Sequence, residues 1–177
     1  MLLKGEGTMK KTLLSALVVL IVLIQFGAAS AKDDAYQPVA ASPETQTSYI
    51  ESIEQKDGKI TAVVDYIQWF EGEEANEQFR LHEQDPDMTE APDGYYIVNE
   101  DDALVELEIA PDAEVRMQIY NRTGNIEEAD IVWDEQIDVD RFIGLIQDHE
   151  EWDMRDFPYH ITVKDGKIIK IVQQYIP

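Results

Sequence analysis

The sequence predicts an α+β domain: a curved, mostly antiparallel sheet or small β-barrel carrying two helices. Three observations predict it. Short runs of alternating, β-branched-rich sequence recur along the chain with turn residues between them. The pentapeptide Lys-Asp-Gly-Lys-Ile occurs twice, at residues 56–60 and 164–168, and Asp-Gly between alternating runs signals a two-residue hairpin turn. Only two segments carry helical spacing. Many short strands with few helices must curl into a closed or strongly bent sheet to bury one face of each strand.

The elements follow in chain order. Lys10-Lys11, an apolar run from Leu13 to Ile24 broken only by Ser15, and the small residues Ala29-Ser30-Ala31 are the three parts of a secretory signal peptide, residues 1–31. Met9-Lys10-Lys11-Thr12 is a more compact beginning for it than Met1. An uncleaved anchor is the competing reading, since residues 13–31 just reach across a bilayer at about 1.5 Å per residue. Their last third is small or polar, which suits cleavage better than spanning. No cysteine follows, so a lipid-linked lipoprotein is excluded. Residues 32–46 contain Asp33-Asp34, Pro38 and Pro43 without apolar periodicity and read as a flexible tether. Residues 47–177 form the single α+β domain.

Within it, the first Asp-Gly turn joins strands at 48–55 and 59–70, and the second joins 160–164 to 167–176. A helix over 71–83 has acidic residues in its first turn, which suits the helix dipole, and places Ala75 and Phe79 on one face. Residues 83–93, with Pro86 and Pro92, are a loop. Strands follow at 95–99, 104–109 and 114–120, with Ala110-Pro111-Asp112 and residues 121–125 as turns. Leu104, Glu106 and Glu108 alternate with Val105, Leu107 and Ile109, giving one carboxylate-bearing face and one core face. Asp138 caps a second helix in which Val139, Phe142, Ile143 and Ile146 fall at i, i+3, i+4 and i+7. Gly144 weakens that helix by up to ~1 kcal/mol relative to alanine. The order is β-β-α-β-β-β-α-β-β, and an oligonucleotide/oligosaccharide-binding-like barrel is one way to close it.

Composition bounds the chemistry. Cleavage after Ala31 leaves 146 residues, one domain's worth, and the absence of cysteine removes disulfides, thiolate metal sites and a cysteine nucleophile. An exported domain without disulfides points to a bacterial surface or medium. The chain has 14 basic and 37 acidic residues. Without Lys4, Lys10, Lys11 and Glu6 of the leader, 11 and 36 remain, a net −25. Such a surface repels nucleic acid and anionic membranes, so neither is an expected partner. The acids are spread along the chain, which favours solubility in high salt over calcium binding, and both over a cationic partner.

The densest unusual stretch is residues 65–70. Asp65 and Trp69 share one strand face and Tyr66 and Gln68 the other; neither face is plainly wet, so Asp65 and Gln68 are expected to be partly buried. That describes either a pocket with an acid and aromatic walls, or a structural hydrogen bond within aromatic packing. Asn99, Glu100 and Asp102 form an acidic cluster without EF-hand spacing, and Asp85/Asp87 and Asp138/Asp140 are equally plain solvated loops. His82, His149 and His160 belong to no zinc-binding pattern, and neither a G-x-S-x-G elbow nor a glycine-rich phosphate loop is present. No cofactor is expected, and an enzyme is the least supported class.

Three separated motifs carry a resemblance: Asp65-Tyr66-x-Gln68-Trp69-Phe70-x-Gly72-x-x-Ala75; Gly94-Tyr95-Tyr96-Ile97-x-Asn99; and Asp165-Gly166-Lys167-Ile168 with the ending Gln174-Tyr175-Ile176-Pro177. In this order they resemble a group of small exported proteins and lipoproteins of Gram-positive bacteria, particularly bacilli. The resemblance implies a secreted or cell-wall-associated protein and no particular activity. The chain departs from the lipoprotein members in lacking the lipid-bearing cysteine. On the resemblance and their chemistry, Asp65, Tyr66, Gln68, Trp69, Tyr95, Tyr96, Asn99 and Tyr175 are the candidate ligand-binding residues. The expected function is a monomeric, non-catalytic binding or envelope-associated domain for an unidentified ligand. A calcium-stabilised module and a carboxylate-dependent hydrolase are the alternatives.

Overall fold

Five strands close on themselves. The computed structural model describes residues 36–176 apart from 41, 85, 102, 150 and 151; the segment expected to be a signal peptide lies outside the described residues. Strand β1 (Thr45–Lys56) runs antiparallel to β2 (Lys59–Glu71), and β2 antiparallel to β4 (Leu104–Met117). β4 then pairs in parallel with β7 (Lys167–Gln173), β7 antiparallel with β6 (Tyr159–Lys164), and β6 antiparallel with β1. The circuit β1-β2-β4-β7-β6-β1, with one parallel joint, is the connectivity of an oligonucleotide/oligosaccharide-binding barrel.

Both hairpins form at the Asp-Gly pairs. Asp57 and Gly58 have φ of 52° and 79°, and Asp165 and Gly166 have 51° and 77°, so both central residues of each turn sit in the left-handed region. That geometry matches the twist of paired strands, and Lys56 and Lys164 accordingly face Lys59 and Lys167.

Alternation fills the barrel. Ile50 and Ile53 of β1, Ala62 and Val64 of β2, Ile109 and Val115 of β4, Ile161 of β6, and Ile168 and Ile171 of β7 are buried in one cluster. Helix α2 (Val139–Gln147) plugs one end. Asp138 caps it as expected, its Oδ1 accepting from the Arg141 N–H at 2.7 Å, and Val139, Phe142, Ile143 and Ile146 face inward. Helix α1 (Gly72–His82) lies outside the barrel beside β3 (Tyr95–Val98), with Ala75, Phe79 and Ala91 in a smaller cluster of their own. None of the helices among the described residues is long and apolar enough to cross a membrane.

One expectation fails informatively. The two strands predicted on either side of Ala110-Pro111-Asp112 are a single 14-residue strand, β4. Its register against β7 shifts between Ile109 and Glu114, so Pro111, which has no N–H to give, sits in a bulge. The bend lets the first half of β4 pair with β2 and its end pair with β5 (Glu135–Ile137), a strand the sequence did not announce. Strand β7 ends at Gln173, three residues short of expectation.

Candidate functional site

The outer wall of β1, β2 and β6 carries the unusual residues. β2 extends beyond the barrel and pairs there with β3, setting Trp69 opposite Ile97 and Glu71 opposite Tyr95. Alternation then puts Asp65, Trp69, Glu71 and Tyr95 on one face. The Trp69 and Tyr95 rings stack at 4.6 Å and 13°. Asp65 is 8% exposed, and its Oδ2 accepts from Asn99 Nδ2 at 2.6 Å, while Oδ1 has no hydrogen-bond partner. Tyr49, facing Asp65 across the β1–β2 ladder, has its hydroxyl pKa raised by burial and by Tyr95, Asp156 and Asp65 around it.

The structure therefore brings Asp65, Asn99, Trp69 and Tyr95 onto one wall and separates the other four candidates. Tyr66 points the opposite way and packs against the barrel core. Gln68 is exposed, a correction to the expected partial burial: it stands on the part of β2 that has left the barrel and meets only the short edge strand β3. Tyr96 faces α1, edge-on to Phe79 at 5.7 Å, and its hydroxyl donates to Glu83 at 2.7 Å, which with burial pushes its pKa up to about 12. Tyr175 meets Trp133 edge-on at 5.1 Å and lies 6.4 Å from Tyr36.

Tyr36 belongs to the segment read as a tether. Its ring packs against Trp133 and Tyr175, and its hydroxyl donates to Gln174 Oε1 at 2.7 Å. Burial, with Glu71 nearby, pushes that hydroxyl up to about 12, so it remains a donor across ordinary pH. Ser42 bridges to Thr45, and β1 starts there, two residues ahead of the expected domain boundary.

Gln174 is the hub of this region. It is buried; its Oε1 also lies 2.7 Å from His160 Nε2, and its Nε2 donates toward Glu71 Oε1 at 3.5 Å and to the Tyr175 carbonyl at 2.8 Å. The neutral His160 ring thus carries its proton on Nε2 and leaves Nδ1 to accept from the Thr47 hydroxyl at 3.0 Å. Glu71 Oε1 also accepts from Trp69 Nε1 at 2.9 Å. Around these groups lies a cleft of about 190 Å3, lined by Pro38, Val39, Trp69, Glu71, Glu74, His160 and Gln174.

Burial lowers the His160 pKa, against the opposing pull of Gln174 and Glu71. Between the folded value and the ordinary 6.5, the unfolded chain holds more protons, so this group's contribution to stability is present above about pH 6.5 and lost as pH falls. The thermal midpoint of the wild type, measured relative to that of His160→Gln, is expected to drop as pH falls from about 7 to 5. A flat difference across that window would show that the ring titrates alike in both states.

Sequence reasoning missed Tyr36, Glu71, Glu74 and His160 as site residues. The available signal was Tyr36, a single aromatic in a segment without apolar periodicity. Glu71 and Glu74 satisfied the helix-dipole reading, and His160 is joined to its partners only by the β1–β6–β7 pairing.

Among the described residues, no three His, Cys, Asp or Glu side chains converge as a metal-binding group. Comparison with protein-family models, with curated proteins and with solved structures returns no match to this chain.

Proposed function

We propose that this chain is an exported, non-catalytic binding domain of a Gram-positive cell surface or medium, and that its ligand enters the cleft on the outer barrel wall. One observation carries the reading: an indole, two carboxylates and a hydrogen-bonded pair of half-buried His160 and buried Gln174 converge on a single opening. Aromatic surface beside a few fixed polar groups is how small binding sites are built. At about 190 Å3 the cleft is smaller than the roughly 300–1,000 Å3 of pockets that enclose a drug-sized ligand, so it suits the end of a chain or one side group.

The face that such barrels commonly offer to nucleic acid supports no such role here. On the outer wall of β2 and β4, Thr61, Val63 and Asp65 lie opposite Glu108, Glu106 and Leu104. Lys59 and Lys167 are both engaged with Glu108. The loops that would wall a nucleic-acid groove are the two Asp-Gly turns, each only two residues long. The carboxylates on this face repel phosphates. The net charge of −23, or −25 without the expected leader, fits a saline medium, where repulsion between like charges is screened. The calcium-stabilised alternative needs several carboxylates meeting at one point, which the described residues do not supply.

The test is retention of the mature protein on purified Gram-positive cell walls in a sedimentation assay, with Trp69→Ala beside the wild type. The expected result is retention of the wild type and at least tenfold less of the variant. Equal sedimentation of both, or of neither, would end the proposal.

A further inference from the structure

We infer that the Trp69 cleft is a receptor for a primary ammonium group at the end of a flexible apolar stem, the chemistry of a lysine side chain. The inference rests on the cleft being the binding site and adds the class of ligand it takes. It follows from counting which polar groups around the opening remain unspent.

The side-chain donors are committed. Trp69 Nε1 donates to Glu71 Oε1, the Tyr36 hydroxyl and His160 Nε2 donate to Gln174 Oε1, and Gln174 Nε2 donates to Glu71 and to the Tyr175 carbonyl. What remains is acceptor capacity. Glu71 keeps Oε2, and Glu74 keeps its whole carboxylate; among the described residues neither has a cationic partner. A ligand entering here must therefore bring donors and positive charge. An anion would meet two carboxylates, whose repulsion opposes it.

The walls select the rest of the ligand. Trp69 lines the cleft while Tyr95 stacks against it, and an indole attracts a cation to its face. Pro38 and Val39 supply an apolar side against which methylenes can lie while the charged end reaches the carboxylates. The net charge of −23, or −25 without the expected leader, raises the local concentration of any cation before it docks.

The experiment is calorimetric titration of the mature protein with tetralysine and with the same peptide acetylated at every side-chain amine. It is repeated for Glu71→Gln/Glu74→Gln and for a remote pair, Glu127→Gln/Glu128→Gln, whose side chains are exposed elsewhere on the surface. Glutamine keeps an oxygen at position 71 to accept from Trp69 and Gln174, so the fold is preserved. Tetralysine is expected to bind the wild type, the acetylated peptide not to bind, and the cleft pair to weaken binding at least tenfold while the remote pair changes it less than twofold. Equal weakening by both pairs would assign the binding to diffuse surface charge and overturn the inference, as would no binding or equal binding of the acetylated peptide. Cell-wall retention that depends on Trp69 but is not competed by tetralysine would leave the cleft as the site and remove only its assignment to ammonium.

Discussion

Replacing Gln173 with leucine is expected to destabilise the domain by about 2–5 kcal/mol, although the change exchanges a polar residue for an apolar one in a fully buried position. The reason is where β4 runs out. Its parallel ladder with β7 ends at the pair Arg116–Val172, and β4 itself ends at Met117. The next two backbone N–H groups, of Gln118 and Ile119, would then be orphaned against the core. Gln173 Oε1 accepts from both, at 2.8 and 2.9 Å, continuing the ladder with a side chain. Gln118 passes the device on: its Oε1 accepts from the Asp134 N–H at 2.9 Å and so fixes the turn that starts β5. Leucine fills the space of Gln173 but leaves two buried donors unsatisfied, at about 1–3 kcal/mol each. Urea unfolding should show a lowered midpoint with an unchanged slope. An unfolding free energy within about 0.5 kcal/mol of wild type would mean that water replaces the amide oxygen without loss.

That device shows where the sequence ceases to be legible. The hairpins were readable because Asp-Gly answers a local backbone requirement, and α2 because its cap and its apolar spacing lie within nine residues. The alternation of β4 was readable for the same reason. Pro111 misled because a proline reads alike in a turn and in a bulge, and only the partner strand distinguishes them. Counting seven strands nonetheless came out right, since the unforeseen β5 offset the merger of two predicted strands into β4. The agreement is in number and not in assignment.

The site divides along the same line. Asp65, Trp69, Tyr95 and Asn99 lie on β2 and around β3, and two strand periodicities place them together. Tyr66 and Gln68 enter the candidate set on the shared motif and their chemistry, although they stand on the strand face opposite Asp65 and Trp69. The cleft needs Tyr36, Glu71, His160 and Gln174, whose separations of up to 138 residues are bridged by barrel closure alone. No local rule relates a histidine on β6 to a tyrosine ahead of β1.

Phe142→Ala is expected to cost about 3–5 kcal/mol, and its contrast with Trp69→Ala separates folding from binding in this molecule. Phe142 is 0% exposed, packs edge-on to Tyr159 at 5.5 Å, and is the part of α2 that closes the barrel. Deleting its ring leaves a cavity whose walls are strands on several sides, paired to neighbours and unable to collapse inward. Trp69 is a ring of larger size placed differently. It stands half-buried on the outer wall, its one ring contact among the described residues being the Tyr95 stack, so its removal is expected to cost about 1–2 kcal/mol. Trp69→Ala should therefore unfold cooperatively near the wild-type midpoint while losing cell-wall retention, and Phe142→Ala should show the reverse, retaining binding below its lowered midpoint. If Trp69→Ala instead lost as much stability as Phe142→Ala, the indole would be a core residue of the β2–β3 extension, and its effect on binding would report unfolding.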